Sequence, residues 1–173
     1  MDITYYVAAS LDGYIATPDG KVDWLASFEG GSEDYGYSQF LASIDALFLG
    51  SLTYEFILSL PSWPYLNKPS WVFSQRSLPV IAPNVHLTNA KPSEIVAELD
   101  NQGLDRAWLI GGAKLASGFR AERLITRYII SVIPIILGQG IPLLMPIPGS
   151  DPLHLIRSLS FPSGLVQLEY LVG

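Results

Sequence analysis

The chain has 173 residues, of which 49% are hydrophobic and only 15% are charged, and its formal net charge is −6. This length is typical of one domain with a sizeable core, and the apolar excess argues against disorder and favours a further buried surface such as a homodimer interface. The negative charge argues against nucleic acid and anionic membranes as partners, and the absence of cysteine excludes disulfides and thiolate chemistry and makes the cytoplasm the default location.

The first hundred residues alternate apolar strand-like runs with helical patterns. Strands are predicted at residues 3–9, 45–49, 70–73 and 85–87, and helices at residues 32–43, 51–60 and 92–101. Ser32 is expected to cap the first helix, with Glu33 and Asp34 in its first turn, and Ser51 is expected to cap the second. This alternation predicts an α/β sheet with helices on both faces.

The segment around Gly111 and Gly112 is the most informative part of the chain. Four apolar residues, 107–110, predict a short buried strand that the two glycines end, and a helix follows over residues 113–122. The first N–H groups of this helix have no side chain in front of them, which suits a phosphate or pyrophosphate. Lys114 opposes the helix dipole, a conflict that an anionic ligand would remove. A lysine pointing into water and glycines that merely end a strand are the alternative interpretation.

The remaining residues predict strands at 124–137, interrupted by Pro134, and an antiparallel pair at 153–159 and 165–172. Residues 128–150 carry no charge and are long enough to span a bilayer, but their prolines and glycines would break a membrane helix repeatedly. A buried strand followed by a proline-rich loop is therefore predicted. The N-terminal residues have neither a basic region nor a long apolar core, so no signal peptide is expected.

Four motifs stand in order along these elements. They are SLDGYIA at residues 10–16, LFLGSLTYE at 47–55, LIGGAKL at 109–115 and PIILGQGIPL at 134–143. With them the chain resembles the dihydrofolate reductase fold and, more closely, bacterial proteins similar to the C-terminal reductase domain of the riboflavin-biosynthesis deaminase/reductase. The resemblance implies one domain over residues 1–173, a three-layer α/β/α sandwich. Its central mixed sheet would be mostly parallel, with antiparallel C-terminal strands.

The resemblance also implies NADPH as the cofactor. It assigns Ala8, Ile15 and Ala16 to the nicotinamide, Gly50, Ser51, Thr53, Gly111, Gly112, Ala113, Lys114 and Leu115 to the phosphates, and Ser74, Gln75 and Arg76 to the adenosine 2′-phosphate. Ile110 is a further cofactor-binding residue. Arg76 is the only cation of the last three, and a guanidinium fork suits a phosphate. Folate reductases often carry an arginine directly after the glycine of the second motif, where this chain has Ser51.

Folate reductases carry a catalytic carboxylate on the helix before the second motif. Counting back from Gly50 selects Asp34 for this role, whereas helical periodicity places Glu33 closer to the centre of the apolar stripe. Both acids therefore remain candidates, and the alternative is that they only stabilise a helix N-terminus. His86 and His154 show no metal-ligand spacing, so no metal site is predicted.

The function implied by the resemblance is that of an NADPH-dependent oxidoreductase acting on a small pteridine- or pyrimidine-like heterocycle, including 5-amino-6-(5-phosphoribosylamino)uracil. Riboflavin reductase domains typically carry an Asp-Pro-x-Leu-x-x-Arg segment for the phosphorylated substrate. This chain has LPSWPYL at residues 60–66, without an arginine, so its substrate need not be the riboflavin precursor. The alternatives are a dihydrofolate reductase proper, a nucleotide-binding or sensing protein without turnover, and a structural dimer module. The expected partners are a small-molecule substrate and a second copy of the chain.

Overall fold

A computed structural model of the chain describes residues 1–28, 33–65 and 68–173. The strands are β1 Asp2–Ser10, β2 Tyr14–Ala16, β3 Ala46–Gly50, β4 Ser70–Phe73, β5 Val85–Thr88, β6 Arg106–Gly111, β7 Arg127–Ile133, β8 Ile141–Pro142, β9 Leu153–Ser160 and β10 Val166–Val172. The helices are α1 Tyr37–Ala42, α2 Ser51–Leu58, α3 Pro92–Asn101 and α4 Ala113–Ala121, and a 3₁₀ helix spans Asp23–Phe28.

Within these ranges, eight strands form one sheet in the order β5-β4-β3-β6-β1-β7-β10-β9. The pairings from β5 through β7 are parallel, whereas β10 is antiparallel to both β7 and β9. A separate antiparallel pair joins β2 to β8. The predicted α/β architecture, mostly parallel with antiparallel C-terminal strands, is confirmed.

Two apolar clusters lie on opposite faces of this sheet. Phe48 and Leu109 belong to the cluster that packs under α3 and α4, which includes the fully buried Phe119. Their neighbours Leu47 and Trp108 belong to the cluster under α1 and α2. This alternation follows from the two-residue period of a strand, and burying each large side chain contributes about 1.5–3 kcal/mol. The helices therefore form the two outer layers of the predicted sandwich.

The first helix is shorter than predicted. It begins at Tyr37 because Tyr35 (φ 54°) and Gly36 (φ 80°) adopt left-handed backbone conformations that a right-handed helix cannot include. The prediction that places Glu33 and Asp34 in its first turn is therefore wrong, since both residues precede the helix. The predicted cap, Ser32, lies outside the described residues.

Two further boundaries differ from the predictions. Ser51 does not cap α2, because the strand passes directly into the helix and Gly50 occupies the N-cap position, so Ser51 is the first helical residue. The strand predicted over residues 124–137 extends only from 127 to 133, because Pro134 cannot donate a hydrogen bond to a sheet ladder. Among the described residues, none of the helices has the length and hydropathy needed to cross a membrane.

The turn after β1 is joined to the loop after β7 by one carboxylate. Asp12 accepts hydrogen bonds from the hydroxyl of Ser10 (2.6 Å) and the backbone N–H groups of Leu137 (3.1 Å) and Gly138 (2.7 Å). The Ser10 hydroxyl in turn accepts one from the backbone N–H of Tyr14 (2.9 Å). These bonds, that from Ser10 most of all, hold the pKa of Asp12 below its usual range. The first and fourth sequence motifs therefore meet here, and β2 is held against β8.

Candidate functional site

The site lies where the direction of the chain connections reverses in the sheet. Strands β3 and β6 are parallel neighbours, yet α2, which follows β3, packs on one face and α4, which follows β6, packs on the other. Such a switch point leaves a crevice beyond the carboxyl ends of the strands, where ligands bind in open α/β sheets. The four sequence motifs all lie next to this edge.

A cleft of about 1530 Å³ opens at this edge. Ligand pockets typically measure about 300–1,000 Å³, so this cleft has room for a dinucleotide and a second molecule. The structure brings all the predicted site residues to its wall: Ala8, Ile15, Ala16, Glu33, Asp34, Gly50, Ser51, Thr53, Ser74, Gln75, Arg76, Ile110, Gly111, Gly112, Ala113, Lys114 and Leu115. They come from separate parts of the chain, and only the parallel order of the strands places them together.

The centre of the cleft is formed by two glycine-capped helices. Gly50 and Gly112 are the N-caps of α2 and α4, and no described side chain caps either helix. A Cβ added to Gly50 would lie 3.5 Å from both the carbonyl oxygen of Gly111 and the nitrogen of Gly112. The two helix N-termini therefore approach each other backbone to backbone. Their first N–H groups have no partner within the helices, so this cradle fits an anionic pyrophosphate.

The loop after β4 forms one end of the cleft. The Arg76 guanidinium donates two hydrogen bonds to the Glu55 carboxylate, at 3.0 Å to Oε1 and 2.7 Å to Oε2. This pairing raises the pKa of Arg76 above its usual value, so the side chain remains a cation. The Ser74 hydroxyl accepts a hydrogen bond from the Arg76 backbone N–H at 2.9 Å, which orders the loop. Any phosphate bound by Arg76 would compete with Glu55.

The two candidate acids line the cleft and also stabilise the turn before α1. Asp34 accepts hydrogen bonds from the backbone N–H groups of Gly36 (2.9 Å) and Ser38 (3.2 Å), and Glu33 accepts one from Tyr35 (3.1 Å). These contacts, led by the one from Gly36, hold the pKa of Asp34 below its usual range. Asp34 is therefore ionised at neutral pH and cannot donate a proton in this state. Both acids therefore stabilise the backbone before and at the start of α1, which is the alternative role considered from the sequence.

A polar cluster that was not predicted from the sequence lies at the floor of the cleft, where Tyr6 and Ser131 line it. The side-chain nitrogen of Gln167 lies 2.9 Å from the Tyr6 hydroxyl, 3.3 Å from the Ser131 hydroxyl and 3.2 Å from the Tyr35 carbonyl. Burial, and to a smaller extent the charge of Asp34, raises the pKa of Tyr6. Two features of the sequence could have indicated this cluster. Tyr6 lies two residues before Ala8 and therefore shares its face of β1, and Ser131 and Gln167 are polar residues inside apolar strands.

Aromatic rings form the wall above this floor. The Trp108 indole N–H donates a hydrogen bond to the Tyr6 carbonyl (2.9 Å), and its ring lies edge-on to those of Tyr37 and Tyr65, each at 5.7 Å between centroids. Tyr37 and Tyr65 also share a hydrogen bond between their hydroxyl groups. Tyr65 belongs to the LPSWPYL segment, which lacks the phosphate-binding arginine that riboflavin reductase domains typically carry. In place of a cation, this segment contributes an aromatic side chain to the cleft.

The two histidines lie away from this cleft. His86 stacks on Trp71 with 4.8 Å between ring centroids, and His154 lies on the exposed strand β9. Within the described ranges, no group of three or more histidine, aspartate and glutamate side chains is arranged to hold a metal ion.

Comparison with known proteins shows to which family the chain belongs. A model of the RibD C-terminal domain matches residues 66–166. The chain is 38% identical over 167 residues to the uncharacterized protein YwjB of Bacillus subtilis, across 96% of this chain and 95% of that protein. Its structure is similar to a putative riboflavin biosynthesis protein from Shewanella sp. PV-4, with a TM-score of 0.91 and 32% identity over 100% of this chain and 99% of that one.

The fold is also shared by RibD of Acinetobacter baumannii, with a TM-score of 0.76 and 18% identity over 99% of this chain and 58% of that chain. A similar relation holds for a deaminase/5-amino-6-(5-phosphoribosylamino)uracil reductase from Thermotoga maritima, with a TM-score of 0.74 and 14% identity over 99% of this chain and 56% of that one. The resemblance read from the four motifs is therefore confirmed: the chain belongs to the RibD C-terminal domain family.

Proposed function

We propose that the protein is an NADPH-dependent reductase of a small pteridine- or pyrimidine-like heterocycle. The observation that carries this proposal is the pair of glycine-capped helix N-termini, at Gly50 and Gly112, which face one cleft at the switch point of the sheet. The cofactor would supply the hydride, and this chain would orient it. Ala8, Ile15 and Ala16 would contact the nicotinamide, which leaves the floor at Tyr6 for the substrate.

Titration with NADPH and NADH tests this function directly. Trp108 lines the cleft, so its fluorescence should report a ligand bound there. We expect saturable binding of NADPH, followed by NADPH oxidation with a member of a panel that includes 5-amino-6-(5-phosphoribosylamino)uracil and dihydrofolate. A folded protein that binds neither dinucleotide would contradict the proposal.

A second candidate is a nucleotide-binding or sensing protein without turnover. The observation that favours it is the state of the two acids, because Asp34 and Glu33 both accept hydrogen bonds from the backbone and Asp34 is ionised. A reductase would then need another proton source, such as water or the Tyr6 hydroxyl. Tight NADPH binding without oxidation on any panel substrate would favour the sensing function.

The ion pair between Glu55 and Arg76 leads to a prediction about cofactor preference. Arg76→Ala should weaken NADPH binding about tenfold and leave NADH binding unchanged, because only NADPH carries a 2′-phosphate. Glu55→Gln is the matched variant, since it frees the guanidinium and should strengthen NADPH binding. Parallel fluorescence titrations measure both effects. Equal losses for the two dinucleotides in Arg76→Ala would show that Arg76 does not read the 2′-phosphate.

We also propose that the protein forms a homodimer through strand β9. This edge strand is exposed along its whole length, and Leu155 and Ile156 have 56% and 52% of their surface exposed. An exposed apolar edge strand pairs readily with another chain, and two copies of β9 related by a two-fold axis would pair antiparallel.

Light scattering tests the dimer. The parent protein should have twice the mass of the chain, and a variant with Leu155→Asp and Ile156→Asp should be monomeric. Val80→Asp is the control, because Val80 is 56% exposed but lies outside β9. A parent protein that is monomeric at micromolar concentration would contradict this proposal.

A further inference from the structure

Charge is distributed unevenly along the cleft. The cationic lining residues, Arg76 and Lys114, follow β4 and β6, on the side of the phosphate cradle. Within the described ranges, the charged lining residues of the remaining part are the acids Asp19, Glu33 and Asp34. Asp34 precedes Tyr35, whose carbonyl accepts a hydrogen bond from Gln167 at 3.2 Å, and this contact places the acid beside the polar cluster of Tyr6, Ser131 and Gln167.

Among the residues that the structure describes, no cation lines that part of the cleft to neutralise a second phosphate. The nearby Lys21 is paired with Asp19 at 2.7 Å. The residues outside the described ranges are Glu29, Gly30, Gly31, Ser32, Leu66 and Asn67, and none of them is basic. A phosphate dianion there would lose its hydration and face carboxylates, which is unfavourable.

The floor instead offers neutral hydrogen-bonding groups. Ser131 and Gln167 are each 5% exposed, and Gln167 donates to the Tyr6 hydroxyl oxygen at 2.9 Å. This contact fixes the Tyr6 oxygen as an acceptor of that bond and leaves its hydrogen to be donated to Ser131 or to a ligand. A tyrosine hydroxyl is protonated at neutral pH, and burial raises the pKa of Tyr6 further above its usual value, so Tyr6 is a hydrogen-bond donor there.

The wall is suited to a flat ring. Tyr37, Tyr65 and Trp108 line the cleft, and the rings of Tyr37 and Tyr65 each contact the Trp108 ring edge-on. Planar heterocycles pack favourably against aromatic side chains, and a cationic ring gains further from them.

We propose that the end of the cleft lined by β1 and β7 binds a planar, unphosphorylated heterocycle that is neutral or cationic, with the Tyr6 hydroxyl donating a hydrogen bond to its polar edge. This proposal rests on the reductase function above and specifies its substrate class. It departs from a phosphoribosyl substrate, whose dianion this end of the cleft does not accommodate.

Calorimetry with two matched pairs of probes tests the substrate class. The pairs are 6-hydroxymethylpterin with its phosphate ester and 5-amino-6-ribitylaminouracil with its 5′-phosphate, each titrated with and without saturating NADP⁺. At least one parent compound should bind, and its phosphate ester should bind at least tenfold more weakly. Esters that bind as tightly as their parents, or no binding by any of the four compounds, would overturn the proposal.

The binding of NADP⁺ and the preference between parent compound and phosphate ester test the reductase function and the substrate class separately. Failure of NADP⁺ to bind, with the parent compound still preferred over its ester, would count against the cofactor alone. Normal NADP⁺ binding with a preference for the ester would count against the substrate class alone.

The role of Tyr6 is tested with Tyr6→Phe, which keeps the ring and removes the hydroxyl. The Gln167 amide retains Tyr35 and Ser131 as acceptors, so the variant should fold. We expect the parent heterocycle to bind about tenfold more weakly while the affinity for NADPH stays within twofold. Tyr170→Phe, on the opposite face of β10, is the control and should change neither affinity. An unchanged heterocycle affinity in Tyr6→Phe would overturn the assignment.

Discussion

Gly112→Asp is expected to abolish NADPH binding in a protein that stays folded. Gly112 has extended backbone angles (φ −80°, ψ −173°) that aspartate adopts freely, and an added Cβ would make an ordinary 3.5 Å contact with Thr53. Aspartate is also a preferred N-cap, worth about 0.5–2 kcal/mol relative to alanine. The melting temperature should therefore stay the same or rise.

The expected loss of NADPH affinity in this variant is at least 100-fold, or about 2.8 kcal/mol. The introduced carboxylate would accept the hydrogen bonds of the α4 N-terminus and repel the pyrophosphate from it. Gly112→Asn matches aspartate in shape without its charge and should lose less than tenfold. Fluorescence titration measures all three proteins, and parent-like affinity in Gly112→Asp would show that the pyrophosphate does not bind at α4.

Gly140→Ala is expected to destabilise the fold. A Cβ at this position would lie 2.2 Å from the backbone carbonyl oxygen of Ala16 and 3.1 Å from the Cβ of Tyr14. Backbone atoms cannot rotate away, so the loop and the β2–β8 pair must separate. Overpacking of this kind typically costs about 1–3 kcal/mol, and each kcal/mol lowers the melting temperature of a domain of this size by about 2–4 °C.

Thermal unfolding of Gly140→Ala is best compared with that of Gly118→Ala. Gly118 lies inside α4 with no atom within 4 Å of an added Cβ, and alanine there should stabilise the helix by about 0.5–1 kcal/mol. Because Ile15 and Ala16 belong to β2 and line the cleft, NADPH affinity should also fall in Gly140→Ala. An unchanged melting temperature would contradict the close approach of Gly140 to Ala16.

The strands and the two glycine-capped helix N-termini were predictable because their signals are local. Continuous apolar runs marked the parallel strands, and glycines marked the places where two strands pass into helices. The start of α1 was not predictable, because the left-handed conformation of Tyr35 places its carbonyl within reach of Gln167, 132 residues away in sequence. The strand over residues 124–137 was overextended because apolar residues continue past Pro134 after the ladder ends.

The floor of the cleft could not be predicted for a related reason. Tyr6 and Gln167 are 161 residues apart, and Ser131 lies on the strand between theirs. Their proximity depends on the order and register of β1, β7 and β10, which no single segment encodes. The resemblance to the family indicated the residues proposed to bind the cofactor, because they belong to its motifs. The residues proposed to bind the substrate belong to no motif, and their proximity became visible only when the strands were placed side by side.

The central position of β1 has a consequence for synthesis on the ribosome. Both neighbours of β1 in the sheet lie far along the chain, since β6 begins at Arg106 and β7 at Arg127. Contacts of such high sequence separation form slowly, because a long loop must close before they contribute. The emerging chain must therefore keep the apolar β1 unpaired until β6 and β7 have left the exit tunnel. During that interval β1 is a segment that a chaperone would bind.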